Sequence, residues 1–248
     1  MPFLIALPQH AAAARRLLTH GDPVHRAGLL FFRVRAPDLE AARASNPERL
    51  SRYLDAFYLL TPTRPARVRE LFTRFFAAIA PQYERHIRPE RNRQNIAFML
   101  QFVRGAIGSL EGAILDYGCG PGLLVEVARS IDLTRPLVGV DSCPRMRERA
   151  RARGLRTVTL GQLRRAAEPR FAAIVASYVL HLPTARDGLV DAWRALRPGG
   201  VFIGNCHKDR GPRGLTTLLR SHGGRALPVS ASAWTEHGPY LAYQKERC

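Results

Sequence analysis

At 248 residues the chain is long enough to bury its own core without disulfides or a structural metal, and 46% hydrophobic with 23% charged residues excludes a disordered or fibrous class. A net charge of +18 raises the question of a polyanionic partner. The excess is spread over both halves of the chain and Lys208 and Lys245 are the only lysines, so the charge argues for solubility and association rather than a dedicated nucleic-acid surface.

Phe3 to Leu7 is apolar but follows no basic region and is cut short by Pro8, and no apolar run is long enough to span a bilayer. Onward from there, Gly28 to Arg35 fits a strand or a helix by periodicity alone, and residues 1–45 carry no functional reading. Asn46-Pro47 supplies a cap and a first-turn proline, after which Leu50, Tyr53, Leu54, Phe57 and Tyr58 recur at helical spacing. Val68, Leu71, Phe72, Phe75, Phe76 and Ile79 form a second stripe. A third helix is predicted from near Pro89, with Ile96, Met99, Leu100, Val103 and Ile107 facing inward. Residues 1–105 therefore read as a helical N-terminal extension.

The texture changes after that. Ala113–Tyr117, Pro136–Val140, Thr157–Leu160, Ala172–Ala176 and Val201–Gly204 are short apolar runs separated by helical segments. This order predicts an α/β domain over residues 106–248 with a parallel sheet covered on both faces and ligands at the carboxyl ends of its strands. Ala226–Ser230 and Tyr240–Gln244 would complete the sheet as a closing hairpin. Arg145, Arg147, Arg149, Arg151, Arg153 and Arg156 form the densest basic run and read as a solvated helix face. Cys119, Cys143, Cys206 and Cys248 have no CxxC spacing and no paired His tract, which argues against a zinc site or a disulfide framework and for a reduced, cytoplasmic setting.

Chemistry concentrates where the first of these strands turns into a helix. Gly118, Gly120 and Gly122 allow positive φ and close backbone approach to a ligand, and the free N–H groups of the next helix favour an anion. Alone, such a turn is a weak signal. Asp141, about 20 residues beyond it at the end of the second strand, is placed to accept from both hydroxyls of a ribose, or to cap the next helix. Asp116 lies two residues before the first glycine, where an acid opposes a pyrophosphate but suits an ammonium group. The spacing Gly-Cys-Gly-Pro-Gly also departs from the dinucleotide pattern, so S-adenosylmethionine is preferred to NAD. Cys119, inside the turn, reads as a small packing residue.

Ile114-Leu-Asp-Tyr-Gly-Cys-Gly-Pro-Gly122 resembles the first motif of class I S-adenosylmethionine-dependent methyltransferases of the small-molecule type. Asp141 matches their ribose-binding acid, Phe171 to Leu182 resembles their fourth strand and following loop, and Leu196-Arg-Pro-Gly-Gly-Val-Phe202 resembles the turn into their fifth strand. The resemblance spans about residues 83–245. It implies a Rossmann-like sheet of seven strands, mostly parallel with one antiparallel closing strand, and S-adenosyl-L-methionine as cofactor. It also implies that Asp116, Gly118, Cys119, Gly120 and Gly122 line the methionine end. Asp141 would hold the ribose, with Ser142 and Met146 near the adenine, while Gly161, Gln162 and Leu163 would contact the adenine and Ser177 would lie under the sulfonium. Two positions depart from the pattern: Gln162 replaces a usual acid, and Ala172-Ala173 stands where an Asp often opens the fourth strand.

Methyl transfer from a sulfonium requires alignment and exclusion of water more than covalent catalysis, and a base is optional. His181, just past the fourth strand, is the candidate base for a hydroxyl acceptor. Tyr83 lies in a segment resembling the lid of many small-molecule methyltransferases, and Tyr178 stands where amino-group methylases carry a different loop, which favours oxygen or carbon as the acceptor atom. The sequence thus predicts a transferase acting on a small-molecule acceptor. An RNA-modifying methyltransferase using the basic surface is one alternative, and a non-catalytic cofactor-binding regulatory module another. No metal site is expected.

Overall fold

The computed structural model describes residues 2–17, 22–46, 49–54, 56–165, 168–206, 212–230 and 237–246. The chain divides into two compact units, Met1–Arg88 and Pro89–Cys248.

The first unit is not the expected helical extension. It runs β1 (Phe3–Ala6), α1 (Ala11–Leu17), β2 (Val24–Arg26), β3 (Leu29–Arg33), α2 (Ala36–Ser45), β4 (Leu50–Tyr53), β5 (Phe57–Leu60), α3 (Pro65–Ile79) and α4 (Tyr83–His86). Its five strands are ordered β2-β3-β1-β5-β4, with only β1 and β5 pairing in parallel. Gly28 to Arg35 resolves as a strand because Ala27 and Gly28, at φ 51° and 71°, make the two-residue turn of the β2–β3 hairpin. The stripe from Leu50 to Tyr58 is likewise a hairpin, not a helix: Leu54 takes φ 50°, and Tyr53 pairs with Phe57.

Periodicity misled here because the sheet is buried on both faces. Leu4, Ala6, Leu30, Phe32, Tyr58 and Leu60 pack with Ala14, Leu39 and Ala42 of α1 and α2. On the other face Phe57 meets Phe75 of α3 edge to face at 5.3 Å and stacks on Phe3 at 6.1 Å. The second predicted stripe is the helix α3, with Leu71, Phe72, Phe75 and Ile79 buried.

The second unit opens with the third predicted helix, α5 (Pro89–Ile107), so the boundary lies at the start of that helix and not at residue 105. All five of its predicted inward residues are buried. There follow β6 (Ala113–Tyr117), α6 (Leu123–Ser130), β7 (Leu137–Val140), α7 (Pro144–Ala152), β8 (Arg156–Val158), α8 (Leu160–Arg164), β9 (Phe171–Ala176), α9 (Leu189–Arg194), β10 (Leu196–Asn205), α10 (Pro212–Ser221), β11 (Gly224–Ala226) and β12 (Tyr240–Lys245).

The seven strands are ordered β11-β12-β10-β9-β6-β7-β8. β12 pairs antiparallel with both its neighbours and the other pairings are parallel, which is the sheet the sequence predicts. Two expected segments move. The run Thr157–Leu160 ends as a strand at Val158 because Thr159 caps α8, and the run Ala226–Ser230 contributes only Ala226 to β11. The chain enters the sheet at β6, builds β7 and β8 on one side, then returns to place β9 and β10 on the other. The carboxyl ends of β6, β7 and β9 thus meet at a topological switch point, where open α/β sheets hold their ligands. Beneath it Leu115, Ile174, Trp193, Phe202 and Tyr243 share one core cluster.

Candidate active site

The Gly-rich turn is pinned to the neighbouring strand. The N–H groups of Gly118 and Cys119 both donate to the Val140 carbonyl, at 2.8 and 3.0 Å, so the chain bends sharply where β6 ends. Gly118, Gly120 and Gly122 all have positive φ, at 75°, 50° and 86°. They differ in what a Cβ would meet. At Gly118 it would strike Val179 at 2.5 Å, and at Gly122 it would strike the Ala150 backbone at 2.9 Å, whereas at Gly120 it would meet nothing within 4 Å. Two of the three glycines are therefore demanded by protein packing, and Gly120 is the one that leaves open approach for a ligand.

Asp141 ties the two strand ends together. Its Oδ2 accepts from Gly120 N–H at 3.0 Å and its Oδ1 from Cys143 N–H at 2.8 Å, while its carbonyl accepts from the Arg147 guanidinium at 2.6 Å. The alternatives of cap and ligand carboxylate are combined, since each carboxylate oxygen has one backbone donor and keeps a second lone pair. Burial raises the Asp141 carboxyl above its ordinary range, with the Cys143 and Gly120 N–H groups acting in the opposite direction. Asp116, at the buried end of β6, is pushed up to about 8, first by burial and then by the charge of Asp141. A cation placed beside it would reverse that shift.

Cys119 is buried against Val125, Ala150 and Leu155, and burial followed by the Asp116 and Asp141 charges holds its thiol well above the usual range. That is a packing residue and no nucleophile. Ser142 is exposed beside Asp141, whereas Met146 is buried in α7. Arg147 and Arg153 of the basic run are not purely a solvated face: Arg153 donates to the Pro121 carbonyl at 3.0 Å and pairs with Glu126 at 3.0 Å.

Gly161, Gln162 and Leu163 lie in α8, just past the carboxyl end of β8. Thr159 and Gln162 form a capping box: Gln162 N–H donates to Thr159 Oγ1 at 3.1 Å, and Thr159 N–H donates to Gln162 Oε1 at 2.8 Å. The oxygen expected to accept from an adenine amino group already accepts from backbone. Thr-Leu-Gly-Gln is the signature of this cap, and it is legible in the sequence. Leu163 is a core residue, buried with Tyr117 and Leu189. Ala172 and Ala173, where the family pattern often has an acid, are fully buried within β9.

On the other side of the switch point, Ser177, Tyr178 and Val179 follow β9, and Val179 is the side chain that presses on Gly118. Ser177 Oγ accepts from Asn95 Nδ2 at 2.8 Å. Asn95 Nδ2 also donates to Asn205 Oδ1 at 3.3 Å, Tyr240 donates to Asn95 Oδ1 at 2.6 Å, and Tyr178 N–H donates to Asn205 Oδ1 at 2.8 Å. Asn205 Nδ2 donates to the His237 carbonyl at 2.6 Å, and the Tyr178 hydroxyl meets His237 Nδ1. Asn205 opens the segment to Ser221 from which acceptor contacts are expected, whereas sequence reasoning missed Asn95, His237 and Tyr240. One signal was present, a polar Asn95 one turn before Met99 on the buried face of α5.

His181 lies in the turn after β9, partly buried. Tyr83 lies in the first unit, with its ring 6.4 Å from that of Phe76. Cys119, Cys143 and Cys206 are free, buried thiols, and Cys248 lies outside the described residues. Among the described residues there is no group of three His, Cys, Asp or Glu side chains that could hold a metal ion, and no helix is long and apolar enough to cross a membrane. A cleft lined by Ala113, Pro136, Leu137, Arg156 and Arg170 lies at the opposite edge, by the amino ends of the strands.

Residues 114–200 match a family model described as a methyltransferase domain. Many solved structures share the fold, and three of them follow. One is the DhpI–S-adenosylhomocysteine complex, with a TM-score of 0.52 and 18% identity over 73% of this chain and 97% of that one. The S-adenosylmethionine-bound amino pentose methyltransferase CalS10 from Micromonospora echinaspora gives 0.51 and 16%, over 62% and 91%. The CcbJ methyltransferase from Streptomyces caelestis gives 0.50 and 14%, over 68% and 96%. No protein with a curated description matches the chain. The second unit thus has the fold of these structures, with its switch point at β6, and its residues 114–200 are similar to a methyltransferase domain.

Proposed function

We propose that this chain transfers a methyl group from S-adenosylmethionine to a small-molecule acceptor, with oxygen or carbon as the receiving atom. The observation that carries the cofactor assignment is Asp141, whose two carboxylate oxygens each hold one backbone N–H and present a second lone pair beside the open approach at Gly120. That arrangement suits a vicinal diol such as a ribose. Asp116, a buried acid with its carboxyl raised, suits the ammonium end of the cofactor's amino acid moiety. Gly118, Gly120, Ser142 and Ser177 complete the proposed set, and the Gln162 amide is left to its cap.

When bound, the cofactor supplies an electrophilic methyl group on a sulfonium. The protein's part is to align an acceptor in line with that methyl and to exclude water. Val179 of the loop after β9 lies against Gly118, which supports an acceptor side adjoining the proposed cofactor turn. Small-molecule chemistry is supported by CalS10, an amino pentose methyltransferase of the same fold. The basic run gives less support to an RNA acceptor than its charge suggests, because Arg147 and Arg153 are engaged by protein carbonyls.

The test is transfer of labelled methyl groups from S-adenosylmethionine into a fractionated metabolite extract and, separately, into bulk RNA. Label in a small-molecule fraction is the expected result. Label in RNA alone, with salt-sensitive RNA binding, would overturn the acceptor assignment.

A further inference from the structure

The buried polar cluster at the carboxyl ends of β9 and β10 is more than a filler of the core. Asn205 is fully buried and works as a clamp: its Oδ1 fixes the Tyr178 N–H at 2.8 Å and its Nδ2 fixes the His237 carbonyl at 2.6 Å. The two residues whose backbones it holds are the two whose side chains meet, Tyr178 hydroxyl on His237 Nδ1. Asn95 steadies the clamp from α5 and is itself satisfied by Tyr240 and Ser177. Tyr178 takes φ 51°, a left-handed conformation that a bulky residue adopts only where its surroundings impose it. Its neighbour Val179 lies on Gly118, so this strained residue stands beside the cofactor turn. Tyr178 is partly exposed, and His237 behind it is 2% exposed.

We infer that Tyr178 and His237 form a proton-accepting pair facing the methyl acceptor, with Asn205 as their positioning residue, and that the acceptor presents an ionisable hydroxyl. This rests on the methyltransferase reading above. The acceptor O–H gives its proton to the Tyr178 hydroxyl oxygen as the Tyr178 proton passes to His237 Nδ1. The acceptor oxygen forms its bond to the methyl carbon while the S–CH3 bond breaks and its electron pair stays on sulfur. The proton left on His237 then returns to solvent. A tyrosine relay puts a small, directional hydroxyl next to the substrate, while the imidazole that takes the proton stays packed behind it. Among the described residues, Tyr178 and Tyr240 are titratable groups that join His237 in this network, and burial raises the Tyr240 hydroxyl, with Tyr178 adding to the shift.

The test needs no acceptor. The full chain, labelled with 15N-histidine and saturated with S-adenosylhomocysteine, is titrated by NMR, and the His237 ring is assigned by its loss in His237→Gln. If that variant does not fold, His237→Asn gives the assignment instead. The expected result is an imidazole that gains its proton between about pH 5 and 8, with a midpoint displaced in Tyr178→Phe and displaced the same way in Asn205→Ala. A His237 ring that stays neutral over that range, or a midpoint that ignores Tyr178→Phe, overturns the proposal. Calorimetry on the same samples separates the two levels: binding of S-adenosylhomocysteine with a silent His237 sinks the pair alone, and no binding to folded protein sinks the methyltransferase reading and the pair with it.

Discussion

The backbone N–H of Gly120 donates to Oδ2 of Asp141 at 3.0 Å, which couples the most open position of the Gly-rich turn to the acid at the end of the next strand. A ligand that bonds to Asp141 therefore meets a carboxylate already oriented by backbone. Asp141→Asn keeps one acceptor and turns an N–H donor toward one of the two backbone donors. Hydrogen bonds to a charged group are worth about 1.5–3 kcal/mol, so S-adenosylhomocysteine affinity should fall roughly 10- to 100-fold. Calorimetry measures it, and a fall of less than threefold would remove Asp141 from the cofactor set.

If Asp116 holds the ammonium end as proposed, cofactor binding should depend on pH. Its carboxyl is raised to about 8 in the protein alone, by burial first and by Asp141 second. A folded pKa above the unfolded one means that the folded chain binds the extra proton. This contribution to stability is fully present below about pH 4 and is lost as pH rises through about 8. Seating an ammonium beside Asp116 requires the anion, so S-adenosylhomocysteine affinity should rise from pH 6 to about 8 with release of a proton. Calorimetry in two buffers of different ionisation enthalpy counts that proton. Asp116→Asn should bind weakly with no such pH dependence.

The three glycines of the turn should part company on substitution. Gly122→Ala combines φ 86° with a Cβ 2.9 Å from the Ala150 backbone. It should cost about 1–2 kcal/mol for the left-handed conformation and about 1–3 more for overpacking. Gly120→Ala has open space and only the first of these costs, yet it should weaken cofactor binding more than it weakens the fold. Urea midpoints and calorimetry on both variants give the comparison, and equal losses of stability would contradict it.

Gln162 should behave as a cap residue. Gln162→Ala loses the bond to the Thr159 N–H and should cost about 1 kcal/mol, while Gln162→Glu retains it and should be neutral or slightly stabilising. Thermal unfolding tests both. A large gain in cofactor affinity in Gln162→Glu would instead return this position to the adenine site.

The second unit was legible in the sequence because its signals are local. Gly118 to Gly122 and Asp116 lie within a few residues of one another, and Asp141 ends the next strand, so pattern and spacing sufficed. The first unit was not legible, since β5 from Phe57 to Leu60 is buried along its whole length and shows no alternation, and the same apolar residues mimic a helical stripe. The polar cluster left no signal but Asn95, for a different reason. Asn95 lies 110 residues from Asn205 and 145 from Tyr240, and only the parallel sheet and the return of β12 bring them together.

The central claim is that the β6 turn with Asp116 and Asp141 holds S-adenosylmethionine, and calorimetric titration of the folded full chain with S-adenosylhomocysteine tests it most directly. The account predicts saturable binding at one site, weakened by Asp141→Asn. No detectable heat of binding to protein whose circular dichroism and cooperative unfolding show it to be folded would contradict it.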